Sequence, residues 1–358
     1  MITCIIGTRA QLIKMAPVMR EMEARKLAYQ LIFTGQHKVT MTGLLDEFGI
    51  RTPPEIVYSG REVTGIVQMG GWFCLVLWRL FRIRRKLRVG PRDANIALVH
   101  GDTFSTLLGA LLGKVCGIRV GHVESGLRSF NWFHPFPEEL TRLAVFRMTD
   151  IAFCPNAWAR DNLRAYRMEK IDCGQNTLLD CVRFALARGD APASLGDYGV
   201  VSLHRFENIF NRQRLTQILD LLDRLSRGHR LVFVLHPATE KKLAAFGLLN
   251  RLQQDANIDL RPRMGYLAFL RLIRGARFVV TDGGSNQEEL SYLGIPTLLM
   301  RKATERNEGL DSNVTIANYD AAVVDRFAAD LSAARAAPAM LPDAEPSRII
   351  VDRLQAFA

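Results

Sequence analysis

Short apolar runs alternating with helical stretches, repeated along most of the 358 residues, constrain this chain more than any other feature. ITCIIGT at the N-terminus reads as a buried strand, and LIKMAPVMREMEARKL behind it as an amphipathic helix with Pro17 as a kink or restart. QLIFTG is the next strand and MTGLLDEFGI the next helix, ended by Gly49. NIALVHGD, a helix over 103–116, IRVGHVE, a helix over 138–147 and DIAFCP continue the rhythm. Strands buried on both faces read as continuous apolar runs, so this order predicts a doubly wound parallel sheet.

The rhythm restarts after CGQNTLLDCV. GVVSLH, HRLVFVLHP, ARFVVTD and IPTLLM read as strands, with QRLTQILDLLDRL, EKKLAAFGLLNRL and MGYLAFLRLIRGA as intervening helices. The expectation is an α/β protein of two Rossmann-like doubly wound domains facing a central cleft, a glycosyltransferase-B-like architecture. The domains are placed at 1–175 and 176–358. The last helical segment, SRIIVDRLQAFA, follows a linker-like run and is a candidate to pack back on the first domain.

The length supports two cores, and 48% hydrophobic with 23% charged residues argues against disorder. Six cysteines show no metal-binding spacing, and several sit in apolar runs, so they read as reduced core residues of a cytoplasmic protein. Met1 leads straight into a strand pattern, so no secretory leader is expected. The net charge of +11 is partly concentrated: no acid occurs from Val63 to Arg92, where Trp72, Phe73, Trp78 and Phe81 run into Arg79, Arg82, Arg84, Arg85, Lys86 and Arg88. The uncharged stretch before Arg79 falls short of the ~20 apolar residues of a spanning helix. Residues 70–92 could instead lie on the inner membrane face as a peripheral amphipathic helix. The alternative is a helix packed in the core or at a dimer interface with its arginines solvated. No nucleic-acid motif accompanies the basic residues, so no nucleic-acid partner is expected.

Chemistry concentrates between Val99 and Arg142. One apolar run delivers Asp102 at its end, a second delivers Glu124, and Glu138 and Glu139 open the next helix. Ligands of open α/β sheets bind beyond the carboxyl ends of the strands, so acids converging there point to proton transfer. GTRAQLIK places Arg9 and Lys14 where the first helix begins, suited to phosphate contact. TDGGSNQEE is a glycine-rich strand-to-helix turn in which Gly284 and Ser285 can cradle a diphosphate and Glu289 can reach a ribose diol. RKATER adds Arg301, Thr304, Glu305 and Arg306 on the crevice edge. His204 and His236 each end a strand, where an imidazole can serve as general acid or be merely structural. His122 reads as a buttress for Glu124.

Taken together, GTRAQLIKMAPV, GQH, VHGDT, GHVESGLR, PFPEELTR, CGQNTLLD, SLHR, TDGGSNQEE and MRKATER give the chain its family likeness. In order and spacing it resembles the non-hydrolysing UDP-N-acetylglucosamine 2-epimerases of bacteria over nearly its whole length. The resemblance implies a dimer that interconverts UDP-GlcNAc and UDP-ManNAc by anti-elimination of UDP to a 2-acetamidoglucal and re-addition, with no metal or other cofactor. It implies catalytic roles for Asp102, Glu124, Glu138 and His204. UDP-sugar contacts carry over to Arg9, Gly284, Ser285 and Glu289, with Lys14, Arg128, Arg142 and Arg306 in support. An allosteric UDP-GlcNAc site of some members maps to Gln36, His37 and His236. The usual Arg-Pro-Glu of the first loop is Arg9-Ala10-Gln11 here, and the usual Ser-Gly-Gly is Gly283-Gly284-Ser285. Surface polysaccharide synthesis is the expected setting. The alternative is a membrane-associated glycosyltransferase of the same architecture, with a UDP-sugar donor and a lipid-linked acceptor. A catalytically inert UDP-sugar-binding module is a third reading, against which the complete acid set counts.

Overall fold

The computed structural model describes all residues except 36–40, 59–65, 84–90, 133–136, 189–196, 305, 311 and 334–340. The chain divides into two units, Met1–Cys181 with Asp343–Ala358, and Val182–Pro342.

The first unit is built on strands β1 (Ile2–Ile6), β2 (Tyr29–Phe33), β3 (Pro54–Ile56), β4 (Ile96–His100), β5 (Arg119–Val123), β6 (Ile151–Cys154) and β7 (Glu169–Asp172). They pair in parallel in the order β3-β2-β1-β4-β5-β6-β7. Every residue of β1 and β4 is buried, which is why these central strands read as unbroken apolar runs. The second unit repeats the plan with β8 (Tyr198–Ser202), β9 (Arg230–Leu235), β10 (Ile258–Pro262), β11 (Phe278–Thr281), β12 (Thr297–Leu299) and β13 (Val314–Ile316), parallel in the order β10-β9-β8-β11-β12-β13. The fold is thus α/β with two Rossmann-like parallel sheets.

The first helix, Arg9–Ala24, runs unbroken through Pro17. Proline cannot donate the hydrogen bond that would close on the Ile13 carbonyl one turn earlier. The Cys181 thiol takes over, donating to Ile13 O at 3.1 Å, so the freed acceptor is satisfied and the helix needs no restart. The C-terminal helix Pro346–Leu354 packs on this same helix. An Arg25–Asp352 ion pair at 2.5 Å and an Arg353–Glu169 pair at 2.8 Å flank it.

Several sequence expectations are corrected. EKKLAAFGLLNRL is two helices, Pro237–Ala245 and Leu249–Gln254, because Gly247 between them takes φ +70° and breaks the ladder. Strands β3, β7, β10 and β13 were not expected. They are short edge or near-edge strands with half-exposed residues and lack the apolar run that marks a central strand. Cys74 is exposed rather than in the core, while the other five cysteines are buried and all six are free. Among the described residues no helix is long and apolar enough to cross a membrane.

Candidate active site

In both sheets the strand order reverses between two central neighbours, β1 and β4 in the first unit and β8 and β11 in the second. The connections leaving adjacent strands there run to opposite faces, which opens a crevice at their carboxyl ends. Most of the residues singled out from sequence lie at or beside these two switch points.

In the first unit, Gly7 follows β1 and lies so close to the helix Phe104–Cys116 that a Cβ would be 1.7 Å from Ser105 Oγ. Gln11 locks the turn. Its Oε1 accepts from the Gly7 and Thr8 backbone N–H groups at 2.9 and 3.1 Å, and its Nε2 donates to His100 O at 2.6 Å and Thr106 Oγ1 at 2.9 Å. A glutamate could not donate to a carbonyl oxygen, so this departure from Arg-Pro-Glu is what laces the β1 turn to the end of β4. Arg9, half-buried in the first turn, has its pKa lowered by that burial, with Glu47 opposing the shift.

Asp102 and Glu124 follow the adjacent strands β4 and β5, and each is held by a cation. Arg142 Nη2 donates to Asp102 Oδ2 at 2.5 Å, with the Asp102 side chain 28% exposed. Lys14 Nζ grips both Glu124 oxygens at 2.8 and 2.6 Å, with both side chains nearly buried. His100 Nε2 lies 3.1 Å from the same carboxylate. Glu124 itself has φ +59°, a left-handed conformation that costs a non-glycine residue about 1–3 kcal/mol and that clusters at functional sites. His122 buttresses the neighbouring turn rather than Glu124: its Nε2–H donates to Gly101 O at 2.7 Å, and burial lowers its pKa to about 4, so it stays neutral.

Glu138 opens the helix Glu138–Met148 and is half-buried. Its neighbour Glu139, fully buried, is the structural hub. It accepts from Arg128 Nε at 2.5 Å, Ser129 N at 3.1 Å and Arg142 Nη1 at 3.2 Å. Glu139 thereby orients the arginine that holds Asp102. Sequence reading gave it no role of its own.

In the second unit the helix Gly284–Leu293 begins at Gly283 without a side-chain cap, leaving first-turn N–H groups available to an anion. Its two glycines sit in crowded surroundings, Gly283 more so than Gly284. A Cβ on Gly283 would lie 2.8 Å from His204 Cε1, and one on Gly284 3.2 Å from Arg306 Nε. Arg306 pairs with the fully buried Glu288, which also accepts from Tyr292 Oη at 3.1 Å. Glu289 is buried and accepts from Asn286 Nδ2 at 3.1 Å. Gln287 donates to the carbonyls of Arg306 and Glu308 at 3.2 and 3.0 Å, while Thr304 Oγ1 donates to its Oε1 at 2.8 Å, so the RKATER loop is tied to the helix.

His204 follows β8 beside this cradle. Asp282, fully buried, accepts from the His204 and Arg205 backbone N–H groups at 3.0 Å each and from Asn208 Nδ2 at 2.9 Å, and lies 3.5 Å from His204 Nδ1. The His204 side chain keeps 39% of its surface open. The protein packed around the ring nevertheless lowers its pKa, opposed by Asp282 and reinforced by Arg205 and Arg263, so the imidazole is mostly neutral at pH 7. His236 lies beside it, with ring centres 5.8 Å apart and the planes tilted by 35°, and caps the helix Pro237–Ala245. Gln36 and His37 lie outside the described residues.

Asp282 and Asn208 were not anticipated. The signal was present: an acid at the end of the apolar run FVVTD must find several donors to be buried at all. Among the described residues no group of three or more His, Cys, Asp or Glu side chains is arranged to hold a metal ion.

Two doubly wound α/β units, one with paired carboxylates at its strand ends and one with an uncapped helix start at a glycine-rich turn, define an α/β protein with a candidate site at each sheet's switch point. Comparison with known proteins shows the family. The family model for UDP-N-acetylglucosamine 2-epimerase matches residues 20–346. A UDP-N-acetylglucosamine 2-epimerase of Methanococcus maripaludis is 33% identical, covering 87% of this chain and 86% of its own. The UDP-2,3-diacetamido-2,3-dideoxy-D-glucuronate 2-epimerase of Pseudomonas aeruginosa is 31% identical over 85% of this chain and 84% of its own. The crystal structure of the Methanocaldococcus jannaschii UDP-GlcNAc 2-epimerase in complex with UDP-GlcNAc and UDP superposes with a TM-score of 0.81 at 26% identity, covering 99% of each chain. The chain belongs to the UDP-N-acetylglucosamine 2-epimerase family. The glycosyltransferase alternative is not favoured.

If Ser285 adds its hydroxyl to the cradle, Ser285→Ala will weaken UDP affinity by about 1 kcal/mol, the scale of one hydrogen bond. Titration calorimetry with UDP checks this, and an unchanged Kd would remove Ser285 from the site.

Proposed function

We propose that this protein is a non-hydrolysing epimerase that interconverts UDP-GlcNAc and UDP-ManNAc by eliminating UDP and adding it back. Inverting C2 needs a group to take its proton on one face and another to return a proton on the opposite face. The observation that carries the reading is the pair of carboxylates on adjacent strand ends, Asp102 and Glu124, each held by its own cation at a sheet switch point. Glu138, at the start of the neighbouring helix, completes the acid set.

In the forward step a carboxylate of this set takes the C2 proton. The C–H electrons form the C1–C2 double bond, and the C1–O bond breaks with its electron pair going to the β-phosphate of UDP. The uncapped helix start at Gly284 and Ser285, with Arg306 beside it, meets the charge that develops on the diphosphate. His204, with Nδ1 nearest Asp282, can donate from Nε2 to the leaving oxygen only as the imidazolium, the form that the buried Asp282 carboxylate favours. Arg9 and Lys14 add positive charge at the first-unit turn. Return of UDP oxygen to C1, with a proton delivered to the other face of C2, gives the epimer. We further infer a homodimer working in the cytoplasm to supply surface polysaccharide synthesis, supported by the family resemblance and by six free thiols.

Proton NMR of UDP-GlcNAc with the purified protein in deuterium oxide tests the reaction. Deuterium at C2 together with UDP-ManNAc signals is the expected result. Exchange seen only with a 2,3-diacetamido uronate would keep the mechanism and change the sugar. No exchange with either, while UDP still binds, would overturn it.

A further inference from the structure

We propose that His100 is a positioning residue for Glu124, a second donor that fixes the carboxylate already neutralised by Lys14; the proposal rests on the epimerase reading above. His100 ends β4 opposite Val123 of β5, the residue before Glu124. Its side chain is 4% exposed, and its Nε2 lies 3.1 Å from Glu124 Oε2. The backbone beneath the ring is fixed, because His100 O accepts from Gln11 Nε2 and from Thr106 Oγ1, each at 2.6 Å. The imidazole therefore springs from a locked strand end.

The surroundings decide which ring nitrogen carries the proton. Nδ1 is buried with no hydrogen-bond partner among the described residues, so a proton there would be an orphaned donor. An unprotonated Nε2 would also turn its lone pair on the carboxylate oxygen. A proton on Nε2 removes both penalties. Lys14 alone sets the carboxylate plane loosely, because an ammonium is a compact charge with three rotatable donors. Donors from two elements, the first helix and β4, restrict that rotation and hold Glu124 in its left-handed φ of +59°. The approach of Nε2 to Oε2 lacks the alignment of a full hydrogen bond, as is common before substrate tightens a site. The charged and titratable groups around the ring are Glu124, Lys14 across it and His122 on β5, with Asp102 two residues along the chain.

Nitrogen NMR of the histidine-labelled wild type reads the contact without turnover, with the His100 signal assigned by its loss in His100→Gln. A proton on Nε2 near neutral pH is expected, and a bare lone pair there would overturn the proposal. With UDP-GlcNAc as substrate, His100→Leu should lower kcat by roughly a hundredfold, the scale of a misplacement near 1 Å, with KM changed little. His100→Gln can still donate from its amide nitrogen and should recover most of that loss. Losing a donor to the ionised form raises a carboxyl pKa. The limb of the kcat–pH profile set by Glu124 should therefore move to higher pH in His100→Leu and return in His100→Gln. Far-UV circular dichroism and a UDP titration report whether each variant is folded; if His100→Leu is not, the wild-type tautomer and His100→Gln decide. Wild-type kcat in folded His100→Leu, an unmoved limb, or His100→Gln as impaired as His100→Leu would overturn the proposal, the last by showing that the ring itself must carry a proton. A wild type inactive on every sugar tested would sink the epimerase reading instead, and the tautomer would still decide whether His100 serves Glu124.

Discussion

Asp102→Asn is expected to lower kcat by roughly a thousandfold, within the range that a positioned acid or base contributes. The substitution preserves shape, and the amide oxygen can still accept from Arg142 Nη2, now 2.5 Å from Oδ2. What is lost is the ability to take or return a proton. UDP binding, assigned chiefly to Gly284, Ser285, Glu289 and Arg306 of the other unit with Arg9 of this one, should change little, because the Arg142 contact is kept. Rates of UDP-ManNAc formation beside a calorimetric UDP titration separate the two effects. A variant with wild-type kcat would remove Asp102 from the chemistry.

Glu139→Ala should be the most destabilising single change at the site, costing about 3–5 kcal/mol, as expected when one partner of a buried ion pair is removed. The fully buried carboxylate accepts from Arg128, Ser129 N and Arg142, and alanine leaves all three donors behind. Burial by itself would raise the Glu139 pKa, but the hydrogen bonds from Arg128 and Ser129 N, with Arg142, outweigh it and hold the pKa below its ordinary value. A lowered folded-state pKa means that this stabilisation is present above the unfolded-state pKa, about 4.3 for a glutamate. It is lost as pH falls through the folded value. The gap in urea midpoint between wild type and variant should therefore be widest near neutrality and narrow in acid. A loss under 1 kcal/mol at pH 7, or a gap that widens in acid, would show that Glu139 is not the hub. Because Arg142 also holds Asp102, turnover should fall with stability, while Ser285-dependent UDP binding survives in the folded fraction.

Sequence reading succeeded where local chemistry and element order coincide. The central strands are buried on both faces, so ITCIIGT, NIALVHGD and GVVSLH could hardly be other than parallel strands, and their order predicted two doubly wound sheets. It failed where the tertiary context supplies the reason. PEI, EKID, IDLRP and VTI pair at or near sheet edges, half exposed, and nothing local marks them as strands. Pro17 reads as a break, yet the helix continues because a thiol more than 160 residues away satisfies the carbonyl it frees. Gly247 reads as a tolerable helical glycine, yet its positive φ splits the segment.

The same division holds at the site. The places of Asp102, Glu124 and His204 just after apolar strands, and of Glu138 and the GGS turn at helix starts, were legible because element ends follow from the burial pattern. That Lys14 serves Glu124, that Arg142 bridges Asp102 to Glu139, and that Asp282 holds the His204 loop could not be read from spacing. Such partners lie up to 110 residues apart and are chosen by side-chain reach across neighbouring strand ends. By itself the sequence determined the parallel α/β plan and the residues able to do chemistry, because burial pattern and side-chain type are local properties. Only the tertiary structure decided which charge neutralises which, because desolvation and hydrogen bonding are settled by neighbours that the chain brings together on folding.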